Sequence, residues 1–273
     1  MLIQEAMIER VRQLCRDDAR VTGAFMYGSF TLDEADRYAD IEFYIYMDEP
    51  DLAALDERGW LAQIAPVSLY FTNELGTGTA IFDTGEHMVR GEFHFAPSAQ
   101  MAAVRAARAS GGRFAGPERM LVADPRGQLR EHLAYIAGPG PERATPESLA
   151  GLWQGFLNWM LFGANVLARG ERARALDILG AAQRHLLWLA RIQAGRTDHW
   201  PTPSRAAESD LPPEAYARFA ACTAGLAPGA LEAAYAAAWA WGVEMAQALS
   251  ARHPFETYPE LVARMDGLWL TAG

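Results

Sequence analysis

Two short segments, Tyr27-Gly28-Ser29 and Asp40-Ile41-Glu42-Phe43, constrain this chain more than any other feature. A polar stretch, Phe30–Ala39, separates them, and each adjoins a run of residues typical of a β-strand. Glycine lets a backbone approach phosphates closely, and the following serine can donate through its hydroxyl and its amide. The pattern therefore predicts two strands with a phosphate-binding corner and a pair of carboxylates.

The two acids are spaced for metal binding. Asp40 and Glu42 are two residues apart on a predicted strand, so both side chains lie on one face, with Cα atoms roughly 6.5–7 Å apart. Magnesium prefers hard oxygen ligands and keeps some waters, so two or three carboxylates suffice. Two magnesium ions about 4 Å apart can stabilise the displacement of pyrophosphate from a nucleoside triphosphate. We predict that Asp40 and Glu42 bind two Mg²⁺ ions, rather than being solvent-facing acids beside an ordinary turn.

The same interpretation suggests which residues bind the triphosphate and which residue acts as the general base. Gly28 and Ser29, together with Arg37 on the polar stretch, are candidates to bind the nucleoside triphosphate. A loop arginine can also be simply solvated. Glu92 lies in an apolar predicted strand, Met88–Phe95. It is the best candidate for a general base, or for a ligand of the second metal. The alternative is a solvated strand acid paired with Arg90.

The predicted elements change character at the breaker cluster Gly138-Pro139-Gly140-Pro141. Before it, the patterns predict a helix and five strands, at Glu5–Arg16, Val21–Met26, Asp40–Tyr46, Val67–Phe71, Thr79–Phe82 and Met88–Phe95, with a turn at Asn73–Thr79. After it come only helices, which begin at Thr145-Pro146 and reach about Arg169, then near Glu171–Ala194, Pro213–Thr223 and Pro228–Arg252. We therefore predict an α+β fold. A domain at 1–140 has a mixed five-stranded sheet and helices, and an α-helical bundle occupies 141–273. Most tryptophans of the bundle are predicted to be core residues: Trp153, Trp159, Trp188, Trp239 and Trp241.

Composition restricts partners and location. The net charge is −10 and there is no basic run, which argues against binding to nucleic acid. The longest apolar run is too short to span a bilayer, and the N-terminus lacks a signal-peptide pattern, so we expect no membrane association. Cys15 and Cys222 have no metal-like spacing, so we expect free thiols in the cytoplasm.

The motifs together resemble those of a known family. The segments Met26–Thr31, Tyr38–Ile45 and Arg90–Phe95 are similar to the lincosamide nucleotidyltransferases, within the DNA polymerase β-like nucleotidyltransferase superfamily. The likeness continues at Met120–Asp124, at Gly163–Glu171 and at Tyr216–Ala220, so it extends over nearly the whole chain.

The resemblance implies a specific activity. It implies magnesium-dependent transfer of AMP, or another nucleoside monophosphate, from a triphosphate such as ATP to a hydroxyl of lincomycin or clindamycin. It also implies that Asp40 and Glu42 are metal ligands and Glu92 the base. A catalytic domain would be followed by a helical domain that helps to bind the antibiotic and to form a homodimer. Four alternatives remain: an aminoglycoside acceptor, which the charge of −10 would suit, another small molecule as acceptor, modification of a protein, and a nucleotide-binding module without activity.

Overall fold

The first part of the chain alternates between short helices and strands. The computed structural model describes residues 2–74 and 76–270 and divides into two compact units, Met1–Gly140 and Pro141–Gly273. In chain order the first unit contains α1 Ile3–Asp17, β1 Val21–Met26, α2 Ser29–Leu32, β2 Ile41–Met47, α3 Glu49–Ala53, α4 Glu57–Leu61, β3 Val67–Thr72, β4 Gly78–Asp83, β5 Met88–Pro97, a 3₁₀ segment Ser98–Ala106, α5 Ala107–Ser110, α6 Pro117–Met120, β6 Leu121–Ala123 and α7 Leu129–Ile136. Leu75 of the predicted turn and residues 271–273 of the predicted helical bundle lie outside the described residues.

The strands form one mixed sheet, which confirms the predicted α+β class. Within the described residues it has six strands in the order β3-β4-β5-β2-β1-β6. β2 and β5 run parallel, and every other neighbouring pair is antiparallel. The predicted count of five strands is therefore wrong by one. The additional strand, Leu121–Ala123, pairs with β1 at the sheet edge, and three residues are too few to show an alternating pattern.

Each face of the sheet has its own apolar layer. On one face, Met7 and Val11 of α1 pack with buried strand residues such as Phe43 and Phe93. On the other, Phe25 and Tyr46 form a cluster with residues of the 3₁₀ segment, α6 and α7, including Met101, Met120 and Leu133. Tyr46 lies near the C-terminal end of β2, and the partly buried rings of Tyr27 and Tyr44 extend this second layer towards the other end of the face.

The opposite end of the same face stays accessible. Asp40, which immediately precedes β2, retains 36% of its side-chain area exposed, and Glu92 on β5 retains 23%. The fold therefore presents these carboxylates to solvent beside a well-packed aromatic layer.

The second unit is helical. Its elements are α8 Pro146–Ala168, α9 Arg172–Ala194, α10 Ala207–Asp210, α11 Pro213–Ala221, α12 Ala230–Ser250 and α13 Pro259–Leu270. The predicted start of α8 is confirmed, because the Thr145 side chain accepts a hydrogen bond from the Ser148 amide and Pro146 follows the cap. α13 was not predicted from the sequence.

Tryptophans and one buried arginine organise this unit. The predicted core role is confirmed: Trp153, Trp239 and Trp241 are buried, and the other two pack against the core. Arg191 is fully buried, and its guanidinium donates to backbone carbonyls and to Asp210, which fixes the segment between α9 and α10.

The two cysteines and the apolar character of the helices can be compared with the remaining predictions within the described residues. Cys15 and Cys222 are free thiols, as predicted, and both are buried. Among the described helices we find none with the length and apolar character needed to cross a bilayer.

Candidate active site

Three predicted carboxylates meet at the N-terminal end of β2. Glu42 lies directly beside Glu92 in the parallel register of β2 and β5, where neighbouring strands are about 4.8 Å apart. Asp40 joins the group through Arg90, whose guanidinium bonds both Asp40 and Glu92. The structure therefore brings together three acids from distant parts of the chain: Asp40 immediately before β2, Glu42 on β2 and Glu92 on β5.

Gly28 forms a close cradle for one of them. Its backbone has φ 77° and ψ −157°, a region that is essentially restricted to glycine. A Cβ atom built on Gly28 would lie 1.6 Å from Oε2 of Glu42. The Glu42 carboxylate thus rests against the backbone at the corner where β1 leads into α2, and only glycine leaves room for it.

The other predicted triphosphate residues lie beyond this corner. Ser29 is buried and begins α2, so the predicted polar loop Phe30–Ala39 starts inside a short helix. Arg37 is exposed, its guanidinium lies 5.0 Å from the ring centroid of Tyr38, and its backbone carbonyl accepts a hydrogen bond from Gln4. Binding of a triphosphate by these residues remains a prediction.

Arg90 balances part of the negative charge. It donates to Asp40 at 2.5 Å and also to Glu92. Burial opposes the charge of Arg90, but the hydrogen bonds to Glu92 and Asp40 outweigh that effect and raise its pKa. The pairing of Glu92 with Arg90, expected if Glu92 were only a solvated strand acid, is therefore present. It leaves the second oxygen of Glu92 facing other groups.

An aromatic cluster that the sequence did not predict surrounds that second oxygen. The Tyr27 hydroxyl donates to Oε2 of Glu92 at 3.4 Å and lies 3.0 Å from Nε2 of His94. Burial, together with the charges of Glu42 and Glu92, raises the pKa of Tyr27, so its hydroxyl stays protonated and remains a donor. Tyr27 therefore bonds the Glu92 oxygen that Arg90 does not bond.

His94 is fixed in turn by stacking. The ring of Tyr44 lies parallel to it, with an interplanar angle of 2° and 3.9 Å between centroids. Burial lowers the pKa of His94, and the charge of Glu92 opposes this shift. Tyr44 shares a face with Asp40 and Glu42 by simple alternation, which was a usable signal. The position of Tyr27 beside Glu92 depends on the order of the strands in the sheet, so no pattern in the sequence could have predicted it.

The donor set fits magnesium. Among the described residues, no group of three or more His, Cys, Asp or Glu side chains is arranged to hold a metal ion by itself. Magnesium does not need such a preformed cage, because it binds through one or two carboxylates together with substrate phosphates and waters. Asp40 and Glu42 supply hard oxygens, and the Gly28 cradle sets Glu42 against the backbone where phosphates could approach.

A comparison with protein families matches the helical unit. Residues 145–268 match the family described as "Lincosamide nucleotidyltransferase-like, C-terminal domain". This region belongs to that family. The match confirms the resemblance found in the sequence and supports a nucleotidyltransferase.

Two solved structures are similar over most of the chain. One is an aminoglycoside 6-adenyltransferase from Bacillus subtilis, at 13% identity and a TM-score of 0.44, covering 99% of this chain and 100% of that one. The other is a nucleotidyltransferase-like protein from Exiguobacterium sibiricum, at 13% identity and a TM-score of 0.41, covering 97% and 78%. Comparison with curated protein sequences gives no match. The likeness to the family rests on the match of residues 145–268.

Proposed function

We propose that this protein transfers AMP from ATP to a hydroxyl group of a lincosamide antibiotic, with magnesium as cofactor and pyrophosphate as the second product. The observation that carries the proposal is the meeting of Asp40, Glu42 and Glu92 on one open end of the sheet, against a glycine that leaves no space for a Cβ atom. The family of residues 145–268 supports the lincosamide as acceptor.

The chemistry is an in-line displacement at the α-phosphorus. The acceptor hydroxyl oxygen forms a new bond to phosphorus, and the bond to the bridging oxygen of pyrophosphate breaks with the electron pair on that oxygen. Glu92 takes the proton of the attacking hydroxyl. An ionised carboxylate has about four lone-pair sites, so Glu92 can accept this proton while it is held by Arg90 and Tyr27.

Asp40 and Glu42 would hold the metal. When bound, magnesium neutralises the triphosphate and stabilises the oxygen that leaves with pyrophosphate. Gly28 and Ser29 would approach the phosphates through the backbone, and Arg90 would keep Asp40 and Glu92 close together. These roles assign catalysis to residues 1–140, and acceptor binding and homodimer formation to residues 141–273.

The net charge of −10 favours a second candidate acceptor, a cationic aminoglycoside. A panel of both drug classes separates the two. The purified protein is incubated with MgATP and each compound, and mass spectrometry detects an adenylylated product. Product with a lincosamide is the expected result. Product with aminoglycosides alone would transfer the proposal to the second class, and no product with any compound would refute both.

Variants connect the activity to the site. Asp40→Ala and Glu42→Ala should abolish turnover without changing the far-UV circular dichroism spectrum. Glu86→Gln, which alters an exposed acid in the turn between β4 and β5, serves as the matched control and should retain full activity. A wild-type rate in either alanine variant would show that the metal assignment is wrong. Light scattering of the purified protein tests the homodimer, and cell fractionation tests the cytoplasmic location.

A further inference from the structure

An arginine outside the predicted site is held in the geometry that binds phosphate. Both terminal nitrogens of Arg119, on α6, donate to the two carboxylate oxygens of Asp33. This bidentate pair uses the planar fork of the guanidinium, which matches a phosphate as well as a carboxylate. The pair is accessible, since Arg119 is 39% and Asp33 75% exposed.

The sheet places this pair next to the Gly28 corner. β6 pairs antiparallel with β1, with Leu121 opposite Phe25, so residues that precede Leu121 lie toward the end of β1 that leads into Gly28 and Ser29. α6 ends at Met120 and packs against β1. Asp33 lies on the same side, because it caps the C-terminus of the short helix α2 that Ser29 begins.

The charges around Asp33 favour an anion there. The hydrogen bond from Arg119 and, more weakly, the positive charges of Arg119 and Arg113 lower the pKa of Asp33. Arg90, the arginine at the carboxylate cluster, is already bonded to two acids. A site that gathers three carboxylates needs additional cations for a triphosphate. Arg119 supplies one beside the Gly-Ser corner, and the charge of Arg113 also acts on Asp33.

We propose that Arg119 binds the triphosphate of the nucleotide substrate, and that Asp33 occupies its guanidinium fork until phosphate oxygens replace the carboxylate. This inference rests on the proposed function. It assigns to Arg119 the role that the sequence suggested for Arg37, whose guanidinium lies over the ring of Tyr38. Asp33 is then a competitor for the fork, which gives the two residues opposite effects on nucleotide binding.

Kinetics of the full-length protein test the opposition. Arg119→Gln should raise KM for MgATP about tenfold or more, the size expected for the loss of hydrogen bonds to a charged group, with KM for the acceptor unchanged. Arg119→Lys keeps the charge without the fork and should lie between Arg119→Gln and wild type. Asp33→Asn removes the competing carboxylate and should lower KM for MgATP. A pair with a purely structural role predicts instead that Arg119→Gln and Asp33→Asn raise KM equally.

The matched control is Arg126. It is similarly exposed and also bonds an aspartate bidentately, but that aspartate, Asp48, follows the C-terminal end of β2, far from Asp40. Arg126→Gln should leave KM for MgATP unchanged. An increase equal to that of Arg119→Gln would mean that loss of any surface ion pair has this effect, and would overturn the proposal.

A second measurement does not depend on turnover. Calorimetry measures binding of inorganic tripolyphosphate to wild type and to the variants. Arg119→Gln should weaken this binding about tenfold or more, and Asp33→Asn should not weaken it. Absence of transferase activity would refute the proposed function but leave this comparison intact. The proposal for Arg119 is overturned if wild type does not bind tripolyphosphate, if Arg119→Gln binds it equally well, or if both variants weaken it alike.

Discussion

Replacement of Gly28 by alanine tests the cradle on which the site depends. The new Cβ would lie 1.6 Å from Oε2 and 2.6 Å from Cδ of Glu42, far inside contact distance. Those atoms are the end of a flexible side chain, so the carboxylate can rotate away at a cost of about 0.5–1.5 kcal/mol. The backbone cannot relax in the same way, because φ 77° with ψ −157° is a conformation essentially restricted to glycine.

The magnitudes separate stability from function. Backbone strain at one such position costs about 1–3 kcal/mol, so Gly28→Ala should lower the free energy of unfolding by roughly that amount. The displaced Glu42 no longer lies against the corner. Loss of the support that orients a metal ligand lowers metal affinity or activity by about 10- to 100-fold. The variant should therefore be folded, somewhat less stable, and at least tenfold less active.

Gly85 provides the matched control. Its φ is 80°, close to that of Gly28, but a Cβ there meets no atom within 4 Å. Gly85→Ala should lose stability through backbone strain and keep full activity. Thermal unfolding followed by circular dichroism measures stability, and transfer of AMP to the acceptor measures kcat/KM.

A double-mutant cycle gives the sharpest result. In the Glu42→Ala background, Gly28→Ala has no carboxylate to displace, so it should lower the free energy of unfolding by about 0.5–1.5 kcal/mol less than in the wild-type background. The reasoning is refuted if Gly28→Ala retains the wild-type kcat/KM, or if it lowers the free energy of unfolding equally in both backgrounds.

Three further predictions concern single groups. Glu92→Gln should lower kcat about 100-fold or more with little change in either KM, and an unchanged kcat in steady-state assays would contradict its role as base. Hydrogen bonds from Arg126 and Ser98 lower the pKa of Asp48 from 3.8 to about 2. The ionised Asp48 carboxylate therefore stabilises the fold fully at a pH above its ordinary pKa, and this stabilisation is lost as the pH falls towards 2. The difference in urea midpoint between wild type and Asp48→Asn should therefore narrow from about pH 5 to about pH 2, and a constant difference would contradict the shift. Burial raises the thiol pKa of Cys15 and Cys222 to about 12, so a disulfide reagent at about pH 8 should label the native protein slowly and the denatured protein fast; a fast native thiol would contradict this.

The sequence predicted best the elements with a strong local pattern. The strands at Val21–Met26 and Val67–Thr72, and the helices that begin at Pro146 and end at Ala194, have clear periodicity or caps, and they occur where expected. The short elements α2, α6 and β6 have three or four residues each and no period to detect. Their conformation is imposed by neighbours rather than by their own residues.

By itself, then, the sequence determined that Asp40 and Glu42 share one face of their strand and that Arg90, Glu92 and His94 share one face of theirs, because side chains alternate along a strand. It also placed at position 28 a glycine, which allows close approach to the backbone. Only the tertiary structure decided that β2 and β5 are parallel neighbours, which sets Glu42 beside Glu92, and that β1 brings the Tyr27 hydroxyl to the same carboxylate. Hydrogen bonds between strands distant in sequence establish these contacts, and no local pattern encodes which strands will pair.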